Sequence, residues 1–398
     1  MQIPKEYHDM AKNIQDSRAE IDALNRELVQ AFCRRMDLSA DVAAYKLEHG
    51  LPVYDRARER EILCDMTDLA GEEYRYYAKT FFTVLMDLSK AHQSALLAGS
   101  HAEGAPASVS ARIAAAADAA PAVFPDGGLV ACQGVEGAYS QMAADRLFSL
   151  PRIRYCATFG DVFEAVERGD CDFGILPIEN STYGTVNEVY DLMQKYQFCI
   201  TRSVKLRIDH RLLAKDGATL AGIRHVYSHA QALGQCRRFL DAHPEIQTHV
   251  CRNTAEAAAA VAAMNDPTVA AIASESCASL YGLSEIADGT TIMNAGRNDT
   301  RFICIERGLR VYPGSTKISL MLTLPHEPGS LYTTLAKFTA QGVNLTKLEN
   351  RPIEGRDFDM RFYFDFEASP AEPRIRALLD DLERTSETFT FLGGYSEI

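Results

Sequence analysis

The chain has 398 residues, enough for two or three domains, with 47% hydrophobic and 24% charged residues, as is typical of a globular protein. Its formal net charge of −13 argues against nucleic-acid binding, which needs a basic surface, although a few arginines in one pocket could bind a small anion. The ten cysteines stand singly, without zinc spacing, so no metal site is predicted. The sequence contains no predicted membrane span, no signal peptide and no nucleotide-binding loop. We therefore expect a cytoplasmic protein without a membrane partner or a cofactor.

Residues 1–97 are predicted to be helical. A first helix carries apolar residues at steps close to seven, giving a seam like that of a coiled coil, at Ile14, Ile21, Leu24, Leu28 and Ala31. Gly50 and Pro52 interrupt it. A second helix is expected from about 55 to 69 and a third from about 72 to 97.

A group of polar side chains recurs within this helical region. Arg35 stands on the apolar seam, where its charge either reaches out to water or meets an anionic ligand. Asp55 and Glu59 are four residues apart on one helical face with Arg58 beside them, and Ser89 and Gln93 repeat that spacing.

Residues 98–127 are rich in Ala, Ser, Gly and Pro and are predicted to be a linker with one or two helical turns at most. Between 128 and 307, predicted strands and helices alternate, which indicates an α/β domain with a mostly parallel sheet in two small lobes. Residues 315–398 follow a β-α-β-β-α-β order, which is that of an α+β, ferredoxin-like module.

Polar residues cluster where strands of the α/β region end, which is where such sheets bind ligands. They are Glu179, Asn180 and Ser181 in "PIENS", Ser228 and Gln235 in "VYSHAQALGQ", and Thr300, Arg301 and Phe302 in "NDTRF". Each serine alone is better explained as a helix N-cap. Together, the three groups favour a binding site.

The helical region resembles the chorismate mutase domain at the N-terminus of bifunctional P-proteins, through "SRAEIDALNRELVQAFCRR", "AAYK", "PVYDRARER" and "SKAHQSALL". The resemblance implies that Arg18, Arg35 and Arg58 hold carboxylates and that Lys46 and Gln93 meet the ether oxygen of chorismate. Asp55, Glu59 and Ser89 would bind the ring hydroxyl or the second carboxylate. Such catalysis needs no nucleophile or metal, because clamping the substrate and aiming donors at the breaking bond suffice.

The spacing of two arginines predicts a homo-oligomer independently of the resemblance. Arg18 and Arg35 are 17 residues apart on one helix, which separates them by roughly 25 Å. They cannot both reach one small molecule unless a second copy contributes one of them. A homodimer, or a tetramer built from it, is therefore expected.

The α/β region resembles prephenate dehydratase through "TRF" at 300–302, "PIENS" and "VYSH" followed by Gln235. The family's fold is two-lobed, like that of periplasmic solute-binding proteins, with the site between the lobes. The resemblance implies that Thr300 protonates or hydrogen-bonds the departing hydroxyl and that Arg301 orients it or binds a carboxylate. The other strand-end residues would position the carboxylates and the ring.

The C-terminal module resembles an ACT domain, which binds amino acids. The resemblance implies a phenylalanine site at Gly329, Ser330 and Leu331 in "GSL" and at Glu349, Asn350, Arg351 and Pro352 in "ENRP". The expected function is a bifunctional chorismate mutase and prephenate dehydratase of phenylalanine biosynthesis, inhibited by its end product. The alternatives are a ligand-binding regulator that has lost catalysis and a protein with one active and one inactive catalytic domain.

Overall fold

The structure is a computed structural model, and it describes residues 14–49, 51, 55–97, 107–286, 292–294, 298–326, 329–353, 355 and 359–398. The expected helix break at Gly50 and Pro52 and residues 98–106 of the expected linker lie outside these ranges. The described helices are α1 (Ile14–Glu48), α2 (Arg56–Leu97), α3 (Val109–Asp118), α4 (Tyr139–Leu147), α5 (Phe159–Glu167), α6 (Asn187–Met193), α7 (Ala230–Gln235), α8 (Arg237–Asp241), α9 (Thr254–Met264), α10 (Ser276–Tyr281), α11 (Ser330–Ala340) and α12 (Pro373–Thr385).

The described strands are β1 (Gly127–Gln133), β2 (Leu150–Cys156), β3 (Phe173–Asn180), β4 (Gly184–Thr185), β5 (Cys199–Arg207), β6 (His210–Ala214), β7 (His225–His229), β8 (Gln247–Cys251), β9 (Val269–Ser274), β10 (Ser284–Glu285), β11 (Asp299–Glu306), β12 (Lys317–Thr323), β13 (Asn344–Pro352), β14 (Met360–Glu367) and β15 (Thr388–Glu397). These elements form two compact units. The first contains α1, α2, α11 and residues 377–385 of α12, and the second contains α3 to α10 and all of the strands.

The first unit contains two long helices, α1 and α2, where the sequence predicts three. Gly71 has a left-handed φ of 72°, so α2 consists of two helical stretches that meet there, close to the predicted boundary between the second and third helices. Helices α1 and α2 bury a small core that includes Ala43, Leu85 and Met86. The seam on the N-terminal half of α1 is not buried in this way, since Ile21 and Leu28 are both 55% exposed.

The second unit is built on two sheets. The larger one has the strand order β13-β14-β12-β15-β5-β11-β3-β1-β2, with β4 pairing to β3, and the smaller one has the order β10-β6-β9-β7-β8. β11 runs antiparallel to both of its neighbours, β3 and β5, whereas β1 is parallel to β2 and β3. The sheets are therefore mixed, and the predicted mostly parallel sheet is wrong for the strands around β11.

Part of the predicted linker is a helix that belongs to the second unit. Residues 109–118 form the helix α3, in which Val109 and Ile113 are fully buried, and Ser108 caps it by accepting a hydrogen bond from the Ala111 N–H. An alanine-rich composition serves a buried helix as well as a linker, because alanine favours the helix and leaves room for close packing. Residues 108–127 thus belong to the second unit.

The C-terminal strands give a sheet in which β12, the first in sequence, lies between β14 and β15 with β13 at the edge. With α11 and α12 between the strands in chain order, this strand order is compatible with a split β-α-β module. β15 continues the sheet into β5 through a short parallel pairing of Ser396 and Glu397 with Arg202 and Ser203. Within the described part of the chain, no helix is long and apolar enough to span a membrane.

Candidate active sites

A cleft of about 580 Å³ lies in the second unit. It is lined by residues from both sheets, among them Asn180, Thr300, Phe302 and His210, and by Tyr139 and Gln235 from helices. The first residues of α4 and α9 also line it, as does Arg252, whose guanidinium pairs with Glu256. Helix N-termini and arginine favour anions, so the cleft suits a negatively charged small molecule.

Asn180 and Thr300 lie opposite each other on paired strands, with side chains in contact. The Asn180 Oδ1 accepts hydrogen bonds from the backbone N–H groups of Thr182 (3.0 Å) and Tyr183 (2.9 Å). Those two bonds fix the amide, so that its Nδ2 donates to the Thr300 Oγ1 at 2.8 Å and to the Asn298 Oδ1 at 2.7 Å. Because the Thr300 oxygen already accepts a hydrogen bond, its own hydrogen is available to donate into the cleft.

Arg301 lies on the other face of the same strand, which differs from the expectation that it meets the substrate. Side chains alternate along a strand, so Thr300 and Phe302 line the cleft while Arg301 points away from it. Its side chain is only 2% exposed and donates from Nε to the Glu179 Oε1 at 2.6 Å and from Nη2 to the Asp365 Oδ2. Although burial opposes the charge, Asp365 and Glu179 raise the pKa of Arg301 above its ordinary value.

Glu179 belongs to this ionic cluster and not to the cleft. Its Oε2 accepts a hydrogen bond from Lys347 Nζ on β13 at 2.8 Å. Burial would raise the pKa of Glu179, but Arg301 and Lys347 outweigh burial and lower it. Asp365 also accepts from the Ser319 hydroxyl at 2.6 Å, so the cluster joins β3 and β11 to three strands of the C-terminal sheet.

The two serines that were predicted for the cleft have structural partners. Ser228 is fully buried and donates to the Ile272 carbonyl on the neighbouring strand β9 at 2.6 Å. Ser181 accepts from the Asp299 N–H at 2.9 Å and so ties the turn after β3 to the start of β11. Neither serine caps a helix, so the N-cap alternative is also wrong, since the cap of α7 is His229.

Gln235 reaches the cleft together with two residues that the sequence analysis missed. His210 contacts the Gln235 Oε1 through Nε2 at 2.7 Å and the Tyr139 hydroxyl through Nδ1 at 3.3 Å. His210 stands at the start of β6, a strand that was not recognised because β5 and β6 follow each other without a helix. The polar pair "DH" at 209–210 before an apolar run was the available signal.

In the first unit, the structure brings together three of the predicted mutase residues. Arg35 donates to the Ser89 hydroxyl and, at 3.3 Å, to the Leu85 carbonyl. Gln93 donates from Nε2 to the Ser39 hydroxyl at 2.9 Å, and its buried Oε1 has no hydrogen-bond partner among the residues described. Burial lowers the pKa of the Arg35 guanidinium from its ordinary value. Such a buried, polar and positively charged cluster can bind a carboxylate.

The other predicted mutase residues lie elsewhere within a single chain. Asp55 caps α2 by accepting from the Arg58 N–H at 3.0 Å, and the Arg58 guanidinium pairs with Glu61 at the surface. Glu59 accepts from Lys90 at 3.2 Å. The remaining two lie on α1, with Arg18 exposed and Lys46 half-buried.

The residues expected to bind phenylalanine fall into two segments. Gly329, with a left-handed φ of 95°, precedes α11, which Ser330 and Leu331 begin. On β13, Glu349 accepts from the Thr185 hydroxyl at 3.1 Å and Arg351 makes a two-oxygen ion pair with Asp191. These two side chains therefore bind the α/β domain, whereas Asn350 and Pro352 point outward from the same strand.

No group of three or more His, Cys, Asp or Glu side chains with the arrangement of a metal site occurs in the described ranges. The cleft is a pocket between two sheets with a fixed hydroxyl donor, and the cluster around Arg35 in the first unit has groups that suit a carboxylate. A fold with these two arrangements is that of a multidomain protein with sites suited to small anions. The family model for type II chorismate mutase matches residues 17–94, and that for prephenate dehydratase matches residues 130–309.

The whole chain is similar to curated proteins with both domains. It is 30% identical over 386 residues to the bifunctional chorismate mutase/prephenate dehydratase of Escherichia coli strain K12, covering 95% of each chain. The chain therefore belongs to the family of bifunctional chorismate mutase/prephenate dehydratases.

Two solved structures match about two thirds of this chain. The prephenate dehydratase of Arthrobacter aurescens in complex with L-Phe matches with a TM-score of 0.60 and 28% identity, over 67% of this chain and 90% of that one. GqqA, described as a novel type of quorum quenching acylase, matches with a TM-score of 0.61 and 30% identity, over 68% and 98%. Since the fold occurs with different stated activities, the residues in the cleft must decide the chemistry.

Proposed function

We propose that this chain converts chorismate to prephenate in its helical unit and prephenate to phenylpyruvate in the cleft of the second unit, as part of phenylalanine biosynthesis. The observation that supports the second activity is the direction of one hydrogen bond, in which the Asn180 Nδ2 donates and the Thr300 Oγ1 accepts. It leaves the Thr300 hydroxyl as a donor toward the cleft, which is what a departing hydroxyl group needs.

The reaction in the cleft requires little covalent chemistry from the protein. Prephenate dianion yields phenylpyruvate, carbon dioxide and hydroxide: the bond to the ring carboxylate breaks, its electron pair moves through the ring, and the C–O bond opposite breaks. Thr300 donates a hydrogen bond to the oxygen as negative charge grows on it. Gln235 and the anion-favouring helix N-termini would hold the carboxylates, while Phe302 lines the wall of the cleft.

The mutase reaction is a rearrangement within one molecule, so binding a compact conformer is the main contribution. The Arg35–Ser89 pair and Gln93 supply charge and hydrogen-bonding groups in a half-buried setting, which strengthens their interaction with a carboxylate. Among the described residues of one chain, these predicted mutase groups lie together, whereas Arg18 on the same helix lies roughly 25 Å from Arg35.

A second copy of this chain would complete the mutase site. The seam on α1 that includes Ile21 and Leu28 is more than half exposed, and α2 also exposes Tyr77 and Phe81. Burying such a seam against an identical seam is the usual way for amphipathic helices to gain stability. The partner's Arg18 would then reach the cluster around Arg35.

The C-terminal module would act as the phenylalanine sensor, an ACT domain. The related structure that binds L-Phe supports this assignment, as does the strand order of β12 to β15. The strand β13, which carries "ENRP", is tied to the α/β domain by Lys347, Glu349 and Arg351. A ligand that moves β13 would therefore act on Glu179, then on Arg301, the chain neighbour of Thr300.

The test is to supply purified protein with chorismate, and separately with prephenate, and to follow phenylpyruvate with and without phenylalanine. Product from both substrates, suppressed by phenylalanine, is expected. Product from prephenate alone would mean that the helical unit is inactive. If neither substrate gave product while phenylalanine still bound, the chain would be a ligand-binding regulator.

A further inference from the structure

His210 is a buried histidine that lines the cleft. It is 4% exposed, begins β6 and lies between Tyr139 on α4 and Gln235 on α7. Its Nε2 is 2.7 Å from the Gln235 Oε1, which is the shortest contact that either ring nitrogen makes in the described structure. This geometry makes the side-chain orientation of Gln235 depend on which nitrogen of His210 carries the proton.

A neutral histidine carries its proton on one of its two ring nitrogens. The hydrogen bonds that run from Tyr139 through His210 to Gln235 can therefore be arranged in two ways. In the first, the Tyr139 hydroxyl turns its one hydrogen from the Asp209 carbonyl at 3.1 Å to Nδ1 at 3.3 Å, and the Nε2–H donates to the Gln235 Oε1 at 2.7 Å. In the second, Nδ1–H donates to Tyr139, whose own hydrogen goes to the Asp209 carbonyl at 3.1 Å, and Nε2 then requires the Gln235 amide NH₂. The first presents the Gln235 NH₂ to the cleft, and the second presents its C=O.

The groups around His210 favour the uncharged ring. Burial is the main cause that lowers the pKa of His210 to about 4, and His229 acts in the same direction. The hydrogen bond with Gln235 and the charge of Asp209 oppose the shift without cancelling it. A neutral ring can hold the amide in one orientation across the physiological pH range.

We infer that His210 is a positioning residue for the dehydratase reaction: its Nε2–H holds the Gln235 carbonyl, so that the Gln235 NH₂ donates to the anionic substrate. This rests on the proposed function, since a dianionic substrate requires donors where the alternative arrangement offers an acceptor. The Gln235 Nε2 has no hydrogen-bond partner within the described part of the chain, and its residue lines the cleft.

A double-mutant cycle on the full chain separates this role from a structural one. His210→Leu is expected to lower kcat/KM for prephenate by about 10- to 100-fold, the effect of losing the orientation of a hydrogen bond to a charged group. In a Gln235→Leu background, His210→Leu should cost almost nothing further, because its effect passes through Gln235. His210→Gln, which can donate from Nε2, should recover much of the activity. Independent, multiplicative losses would overturn the inference.

The second measurement does not depend on activity. Nitrogen-15 NMR of histidine-labelled protein, with the His210 signal assigned from His210→Gln, should show a neutral ring protonated on Nε2 at pH 7. A ring protonated on Nδ1, or a charged ring, would overturn the inference even in an active enzyme. An inactive wild type with an Nε2-protonated His210 would refute the proposed reaction, and with it the substrate role of Gln235, while the His210–Gln235 contact would stand.

Discussion

Thr300 and Arg301 are neighbours in the chain, yet their side chains lie on opposite faces of β11. Thr300 faces the cleft and accepts a hydrogen bond from Asn180, while Arg301 is buried with Glu179 and Asp365. One strand therefore carries both the proposed hydroxyl donor and the central cation of a cluster that reaches the C-terminal module. A shift of β11 affects both.

Replacing Thr300 should separate the two activities. Thr300→Val keeps the shape of the side chain but removes the donor, so kcat for phenylpyruvate formation should fall by about 10²- to 10³-fold. Thr300→Ser is the matched control and should retain a large part of the rate. Mutase turnover in the same samples should stay near that of the wild type. Loss of both activities in a folded protein would contradict the assignment of the two reactions to separate units.

Reversing the direction of the hydrogen bond between Asn180 and Thr300 should be as harmful as removing the Thr300 hydroxyl. The carboxylate introduced by Asn180→Asp would still accept from Thr182 and Tyr183, but it would also accept the Thr300 hydrogen, which is then lost to the substrate. We expect a fall in kcat of about 100-fold, measured with prephenate at saturation. Asn265→Asp, at an exposed position outside the cleft, is the control for the added charge. Unchanged kcat in Asn180→Asp would refute the donor role.

Subunit mixing tests the proposed shared mutase site. Arg18→Ala and Arg35→Ala variants, each inactive alone, should regain part of the mutase activity after they are unfolded and refolded together. Mixed dimers would contain one site with both arginines intact. Ile21→Glu combined with Leu28→Glu should instead yield monomers without mutase activity, as measured by sedimentation and by chorismate consumption. The absence of recovery despite demonstrated subunit exchange would count against a shared site.

The ionic cluster around Arg301 should carry the effect of phenylalanine. Lys347→Met removes the link between β13 and Glu179 without touching the cleft, so turnover of prephenate should persist. The phenylalanine concentration for half-inhibition should rise by about 5-fold or more, a typical size for a lost coupling contact. Lys195→Met, at an exposed position, is the control. Inhibition that stays at the wild-type level would exclude this route. Arg301→Met should be more severe and cost about 3–5 kcal/mol, because it leaves the buried Asp365 carboxylate without its cationic partner.

Glu306 at the end of β11 should make the second unit less stable as the pH rises from about 4.5 to about 7. It is 8% exposed, it accepts one hydrogen bond from Tyr312 at 3.3 Å, and its Oε1 has no partner in the described structure. Burial raises the pKa of Glu306 to about 7, above that of the unfolded chain. The folded state thus binds more protons, so the free energy of unfolding falls as pH rises from about 4.5 to about 7.

The loss should reach at most about 3 kcal/mol, the free-energy equivalent of the shift. Glu306→Gln, which does not ionise, should remove this dependence and unfold at a higher urea concentration than the wild type at pH 8. The comparison is the urea midpoint at pH 5 and pH 8 for both proteins. Equal pH dependence in the two would show that Glu306 is not responsible.

Much of the site could be predicted from strand ends, because residues that follow buried strands in an α/β domain meet at one edge of a sheet. This applied to Asn180, which ends β3, whereas Thr300 meets it because the antiparallel strand β11 begins at the same edge. The same rule was wrong for Ser228, which lies at a strand end but donates its hydroxyl hydrogen to a carbonyl of the adjacent strand. His210 was missed because its partner Gln235 is 25 residues away in the chain, and no local pattern connects them.

The sequence by itself determined the family, the domain order, the helical and α/β classes and most of the residue types in the sites, because these follow from periodicity and from motifs that are local in the chain. Only the tertiary structure decided which side of the sheet each side chain of "NDTRF" faces and what it meets there. The physical reason is that a strand alternates its side chains between two faces, and only the packing of distant strands determines which face is the cleft and which is the core.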